Sequence, residues 1–218
     1  MDIPIGPWRA RLVILSPLLV IAIGHGVARL AQSSLGPWGW VPMIVVLWVL
    51  FGLIIGWASG RNGIRRWLQP PTGHRAWTVL AIAAGLIPLG VFLQGWSLFT
   101  SAWLVLAWLL FAVINPVLEE GYWRGVLLDH TAKWPAWAAI TYSAFFFAIN
   151  HPLSFGVYSV ANQHPSLWVS TFVMGLVWGL IYRKTGSLRW VTGSHVLVDL
   201  LSLSVLTFLN LYVPNIPS

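Results

Sequence analysis

The sequence predicts an all-α polytopic membrane protein of about seven transmembrane helices, with its functional site inside the helix bundle. Three observations carry this. First, 58% of the 218 residues are hydrophobic. Second, only 8% are charged, 12 Lys and Arg against 5 Asp and Glu, where a soluble domain averages about 25%. Third, the apolar residues fall in runs of about 20, the length a helix needs to cross the hydrocarbon core. The same balance excludes disorder, which needs low hydrophobicity and high charge. Cysteine is absent, so a disulfide framework, a thiolate metal site and a cysteine nucleophile are all excluded.

The elements follow in order. Span one covers about 12–30. Arg9 and Arg11 precede it, but no small-x-small cleavage site appears before Arg29, so it reads as a retained helix rather than a signal peptide. Span two covers about 38–58, span three 76–93, and span four begins near Ala102. If span four stopped at Glu119, that carboxylate would lie at the surface, far from His151 on span five. The apolar Val126-Leu127-Leu128 argues instead that the helix continues to about His130. Span five follows Pro135, which suits a first helical turn. Span six covers about 167–182 and span seven 188–209. The whole chain, 1–218, reads as one integral membrane unit.

Ten basic residues fall on one side of these spans: Arg9, Arg11, Arg61, Arg65, Arg66, Arg75, Lys133, Arg183, Lys184 and Arg189. Cytoplasmic loops carry such an excess. The expected location is therefore the cell membrane, with the N-terminus cytoplasmic and the C-terminus on the far side. This distribution accounts for the net charge of +7 without a nucleic-acid partner. The stretch 61–75 also suits lipid headgroups. Trp38, Trp77, Trp96, Trp134 and Trp190 sit at span ends, as interfacial belts do. Gly52/Gly56 and Gly175/Gly179 form G-x-x-x-G pairs, which let helices approach closely.

Ionisable residues inside a span are costly and mark function. Asp2 and Asp129 fall near the cytoplasmic surface, while Glu119, Glu120 and Asp199 fall inside the membrane. Glu120 and Arg124 are i and i+4, so they face each other and pair. Glu119 is turned about 140° from Arg124 and is left available as a base. His195 and Asp199 are also i and i+4, which lets the carboxylate fix the imidazole. Phe147, one turn before His151, walls the pocket. His25 stands alone and reads as a packing or backbone-bonded residue; His74, His130 and His164 fall in solvated loops.

Glu119, His151, His195 and Asp199 thus come from three helices. Such a set activates a water and stabilises an oxyanion, or binds a divalent metal such as zinc. Two other readings use the same residues. One is a proton-coupled transporter, since such groups also form proton relays. It is disfavoured because the far-side loops 31–36 and 152–166 carry no charged residue. The other is an interhelical hydrogen-bond network that only holds the bundle together.

Three motifs in order, Glu119-Glu120-x-x-x-Arg124, Phe147-x-x-x-His151 and His195-x-x-x-Asp199, resemble the CPBP intramembrane proteases. That family includes CAAX prenyl endopeptidases and bacteriocin-processing or immunity proteins. The glycine-containing helix and basic turn at 174–188 are also similar, and the resemblance covers about 104–205. It implies an endopeptidase with an intramembrane site reached from the cytoplasmic side. It also implies a protein or peptide substrate, for which a lipidated or membrane-bound form is open and prenylation is not implied. By that resemblance, Glu119 and His151 activate the attacking water, while His195 and Asp199 stabilise the oxyanion. Glu120, Arg124 and Phe147 support them. The mechanism is glutamate- or metal-dependent, and the absence of H-E-x-x-H separates the chain from zincin-like proteases. Prenyl endopeptidases have Asn where this chain has Asp199, which points Asp199 towards an orienting or metal-binding role. They also have eight spans. A non-catalytic immunity or partner protein would keep the same motifs.

Overall fold

The computed structural model describes residues 6–73 and 75–214. Asp2 and His74, to which the sequence assigns surface positions, lie outside the described residues. Every regular element among those described is helical. These are α1 (Pro7–Leu35), α2 (Trp40–Trp67), α3 (Ala76–Gly85), α4 (Leu89–Gly95), α5 (Ala102–Glu120), α6 (Leu127–His130), α7 (Ala136–Ser154), α8 (Val160–Gln163), α9 (Pro165–Thr185), α10 (Arg189–Leu201) and α11 (Ser204–Phe208). A π-helical segment, Gly121–Val126, joins α5 to α6 without a break.

Among the described residues, four helical runs are long and apolar enough to cross a membrane: Pro7–Trp67, Ala76–Leu98, Ala102–His130 and Pro165–Thr185. The first, of 61 residues, is a hairpin. Gly36 turns the chain at φ 57, and Gly39 lies so close to Ala31 that a Cβ would meet its backbone at 2.7 Å. Seven uninterrupted spans are not found. The third expected span breaks between Gly85 and Leu89, with Pro88 opening α4. The seventh breaks after Leu201, where Leu203 takes a left-handed conformation at φ 54. The fourth continues past Glu119 to His130, as the apolar Val126-Leu127-Leu128 predicts.

Burial is inverted relative to a soluble protein. Glu119, Glu120, Arg124, Asn115 and Asn150 are buried, while Leu15, Leu30, Val79, Ile87, Val113 and Trp137 are exposed. An apolar exterior around a polar interior suits a multi-pass membrane protein, because lipid solvates the first and not the second.

Helix α7 packs closely on α9. Gly175 makes it possible, since a Cβ there would lie 2.9 Å from the Ala144 Cβ, and one on Gly179 would lie 3.0 Å from Ile140. Gly52 and Gly56 behave differently: a Cβ on either meets nothing within 4 Å. The second close-approach pair is instead Gly121 and Gly125, where a Cβ would meet Ile55 at 2.8 Å and Trp67 at 2.6 Å. The π-helical segment therefore seats directly on α2.

The C-terminal ends of α2, α6 and α9 meet at one end of the bundle. Asp129 ties them together: it pairs with Arg66 and accepts hydrogen bonds from Trp67 Nε1 at 3.0 Å and Tyr182 Oη at 2.8 Å. It is a half-buried hub rather than a free surface charge. Arg183 donates to the Thr131 carbonyl at 3.2 Å, and the Leu188 amide to the Trp67 carbonyl at 2.9 Å. His130, expected in a solvated loop, ends α6 with its Nδ1 on the Val126 carbonyl at 2.8 Å. At the opposite end, Tyr158 donates to the Ala28 carbonyl at 2.6 Å and Gln32 to the Val157 carbonyl at 2.8 Å. His164 caps α9 there. His25 bonds the Leu153 carbonyl at 2.6 Å, the packing role its isolation predicts.

Candidate active site

Four elements bring the ionisable residues together. Ser101 caps the start of α5 by accepting from the Leu104 amide at 3.3 Å, and α5 then carries Asn115, Glu119 and Glu120 into the interior. The π-helical segment carries Arg124, α7 carries Phe147 and His151, and α10 carries His195 and Asp199.

Glu120 is the centre of the arrangement. Its Oε1 accepts from Arg124 Nη1 at 3.0 Å and from His195 Nδ1 at 2.7 Å. All three side chains are buried, with exposures of 0% for Glu120 and Arg124 and 4% for His195. The Arg124 guanidinium lies 4.1 Å from the Phe147 ring centroid and 5.2 Å from that of Trp178, so its charge meets two aromatic rings as well as a carboxylate. Trp178 also stacks on the His195 imidazole at 4.5 Å and 26°. Its Nε1 donates to Ser194 Oγ at 2.9 Å.

A carboxylate accepts hydrogen bonds, so the Nδ1 of His195 carries the proton that meets Glu120. This leaves Nε2 on the opposite side, 3.7 Å from Glu119 Oε2 and 3.7 Å from Asp199 Oδ1. Glu119 is fully buried, and neither of its oxygens has a hydrogen-bond partner among the described residues. The carboxylate that orients His195 is therefore Glu120, not Asp199 as the i, i+4 spacing suggests. Asp199 is turned to Asn115, whose Nδ2 donates to it at 3.3 Å.

Asn115 has no counterpart in the sequence reasoning. Its Oδ1 accepts from Trp48 Nε1 at 3.1 Å. Indole nitrogen only donates, so this bond fixes which way the amide points. The signal was available: Asn115 lies one turn before Glu119 and so shares its face. An uncharged amide does not stand out in a search for charges.

His151 is placed apart from Glu119. Its Nδ1 donates to the Phe147 carbonyl at 2.9 Å, and its ring lies edge-on to the Phe147 ring at 4.9 Å. It forms no ion pair with any carboxylate among the described residues. His151 and His195 do share one cavity, of about 470 Å³, with Asn115, Phe147, Trp178 and Asp199 along its inner wall. Among the described residues, no group of three His, Cys, Asp or Glu side chains is placed to hold a metal ion.

The cavity extends from this wall to Ala161, Asn162, Ser166 and Pro214, at the end of the bundle away from the arginines.

Residues 101–201, just under half of the chain, match the model of the family described as Rce1-like, type II CAAX prenyl endopeptidase Rce1-like. Over this segment the chain is similar to the Rce1-like family. The segment starts at the Ser101 cap of α5 and ends with α10, so it includes every residue placed above around Glu120 except Trp48. The likeness points to a CAAX-protease-like peptidase. Comparison with curated proteins and with solved structures returned no match.

Proposed function

We propose that the chain is an intramembrane endopeptidase that hydrolyses a peptide bond of a protein or peptide substrate with a water activated at Glu119. The observation that carries this reading is the setting of His195: Nδ1 is held on Glu120, and Nε2 faces both Glu119 and Asp199. Glu119, whose oxygens have no hydrogen-bond partner among the described residues, takes a proton from the attacking water. The resulting hydroxide adds to the scissile carbonyl, and Glu119 returns the proton to the leaving amine. His151, across the cavity, bears its bare Nε2 and holds the water. His195 in its protonated form and the Asn115 amide donate to the tetrahedral oxyanion, the kind of preorganised donor set that carries most of the rate. Asp199 positions both donors. Glu120, Arg124 and Phe147 hold His195 in place.

In this reading residues 104–205 are the catalytic core of one integral unit, and the N-terminus is cytoplasmic. A proton path between the two faces is disfavoured. Trp67, Trp123, Leu127 and Leu128 are fully or almost fully buried between the site and the basic end, leaving apolar packing where a relay would need polar groups. The deciding experiment is cleavage of a membrane-associated peptide by the purified protein. Glu119→Ala and His151→Ala should each abolish turnover; full activity in both would sink the proposal.

A further inference from the structure

The basic end of the bundle holds a half-buried cation that the described residues do not neutralise. Arg66 pairs with Asp129, Arg183 donates to the Thr131 carbonyl, and Arg189 Nε donates to the Leu68 carbonyl. Arg9, in the first turn of α1, is half-buried. Its Nε is buried and has no hydrogen-bond partner among the described residues. Asp129 is already taken up by Arg66, Trp67 and Tyr182. What holds the Arg9 guanidinium is the face of Trp57 on α2, 5.0 Å from the ring centroid, with Trp8 packed on the same indole at 6.1 Å.

His130 adds a second unmet atom. Helix α1 packs on α6 here, and the Arg9 charge acts on the His130 ring. His130 Nδ1 donates to the Val126 carbonyl at 2.8 Å, so the uncharged ring bears a bare Nε2 that accepts. That Nε2 is buried and has no partner among the described residues. A buried donor and a buried acceptor are both costly to leave unmet. Together they call for an anion that also carries a hydroxyl. The surroundings favour one source. Trp8 and Trp57 are exposed on either side of Arg9, as tryptophans are at the level of lipid headgroups. Further along the same helices, Leu12 and Leu15 of α1 and Leu53 of α2 are exposed. They offer a surface to acyl chains, which a free phosphate lacks.

We propose that Arg9 and His130 bind the headgroup of an anionic phospholipid where α1 meets α2 and α6. The Arg9 guanidinium takes the phosphate diester, and His130 Nε2 accepts from a headgroup hydroxyl. The lipid belongs to the leaflet at the basic end, and the site does not depend on the peptidase reading.

The test is lipid retention by the whole chain in detergent, read by native mass spectrometry. The probes are dioleoyl phosphatidylglycerol, phosphatidylmethanol and phosphatidylcholine, with inorganic phosphate as competitor. Phosphatidylglycerol should be retained. Phosphatidylmethanol, equal in charge but without the hydroxyl, should be held several-fold more weakly, and phosphatidylcholine more weakly still. Inorganic phosphate should not displace the lipid. Arg9→Gln should weaken phosphatidylglycerol at least about tenfold, the worth of a charge-assisted hydrogen bond. Lys184→Gln removes an exposed charge at the same end and should change retention no more than about twofold, as a screened charge does. Equal losses in the two variants would reduce the binding to diffuse charge and overturn the site. Equal retention of phosphatidylmethanol would overturn the His130 contact, and displacement by inorganic phosphate would overturn the lipid as ligand. The probes are compared on the unsubstituted chain, so a misfolded Arg9→Gln does not decide the outcome.

Discussion

Glu119 and Glu120 are adjacent and both fully buried, yet they should respond oppositely to the same substitution. Glu120→Gln removes the negative charge that faces Arg124 at 3.0 Å and His195 at 2.7 Å. Breaking a buried pair by neutralising one partner costs about 3–5 kcal/mol, because the other charge stays buried without compensation. The aromatic faces of Phe147 and Trp178 offset some of this, so the lower end, about 3 kcal/mol, is expected here. Glu119→Gln removes a carboxylate whose oxygens have no protein hydrogen bond. Its cost in stability should be under about 1 kcal/mol, since no hydrogen bond is broken and the His195 Nε2 lies 3.7 Å away, beyond hydrogen-bond distance. Its cost in rate should be about 10²–10⁴-fold, the contribution of a general base. The assay is thermal unfolding of both variants in detergent micelles beside peptide cleavage. Glu120→Gln should unfold at clearly lower temperature, and Glu119→Gln should unfold like the parent while losing turnover. If Glu119→Gln were as unstable as Glu120→Gln and as active as the parent, the two residues would be one structural network and the catalytic reasoning would fall.

Three further outcomes can be measured. Trp48→Phe keeps the ring but removes the donor that fixes the Asn115 amide; losing one such bond, worth about 0.5–1.5 kcal/mol, should lower kcat up to about tenfold with KM nearly unchanged. Gly175→Ala brings a Cβ to 2.9 Å from Ala144 and should destabilise by about 1–3 kcal/mol as overpacking does, whereas Gly52→Ala meets open space and should be neutral or gain up to about 1 kcal/mol from helix propensity; both are read by thermal unfolding. Chelation should leave cleavage intact, since no donor group of the required size is assembled among the described residues; loss of turnover restored by added zinc would reverse that expectation.

The run lengths and the scarcity of charge made the membrane character legible, and the i, i+4 spacing of Glu120 and Arg124 gave their pair directly. Spacing along one helix was less informative across helices. His195 and Asp199 share a face of α10, but the hydrogen bond at Nδ1 comes from Glu120 on α5, a partner 75 residues away. His151 on α7 and His195 on α10 share a cavity that the breaks at 86–88 and 202–203 also line, through Ile87, Pro88 and Ser202, and spacing along single helices does not foretell such breaks. Asn115 and Trp48 escaped because neither is charged. The two G-x-x-x-G pairs were indistinguishable by sequence, and only packing against α7 separates Gly175 from Gly52.

The π-helical turn at Gly121–Val126 sets the angular phase of the site. Each residue of an α-helix advances the chain by about 100°, and a π turn accommodates one residue more than an α turn does. Glu119 and Glu120 lie on one side of this turn, and the Leu127–His130 helix, held at the basic end through Asp129, lies on the other. Deleting a single residue within the turn would restore regular α-helix and swing both glutamates by about a quarter revolution, away from His195, with every side chain of the site still present. The reactive constellation thus depends on reading frame along the helix as much as on residue identity, a dependence that point substitutions leave unseen and a one-residue deletion exposes.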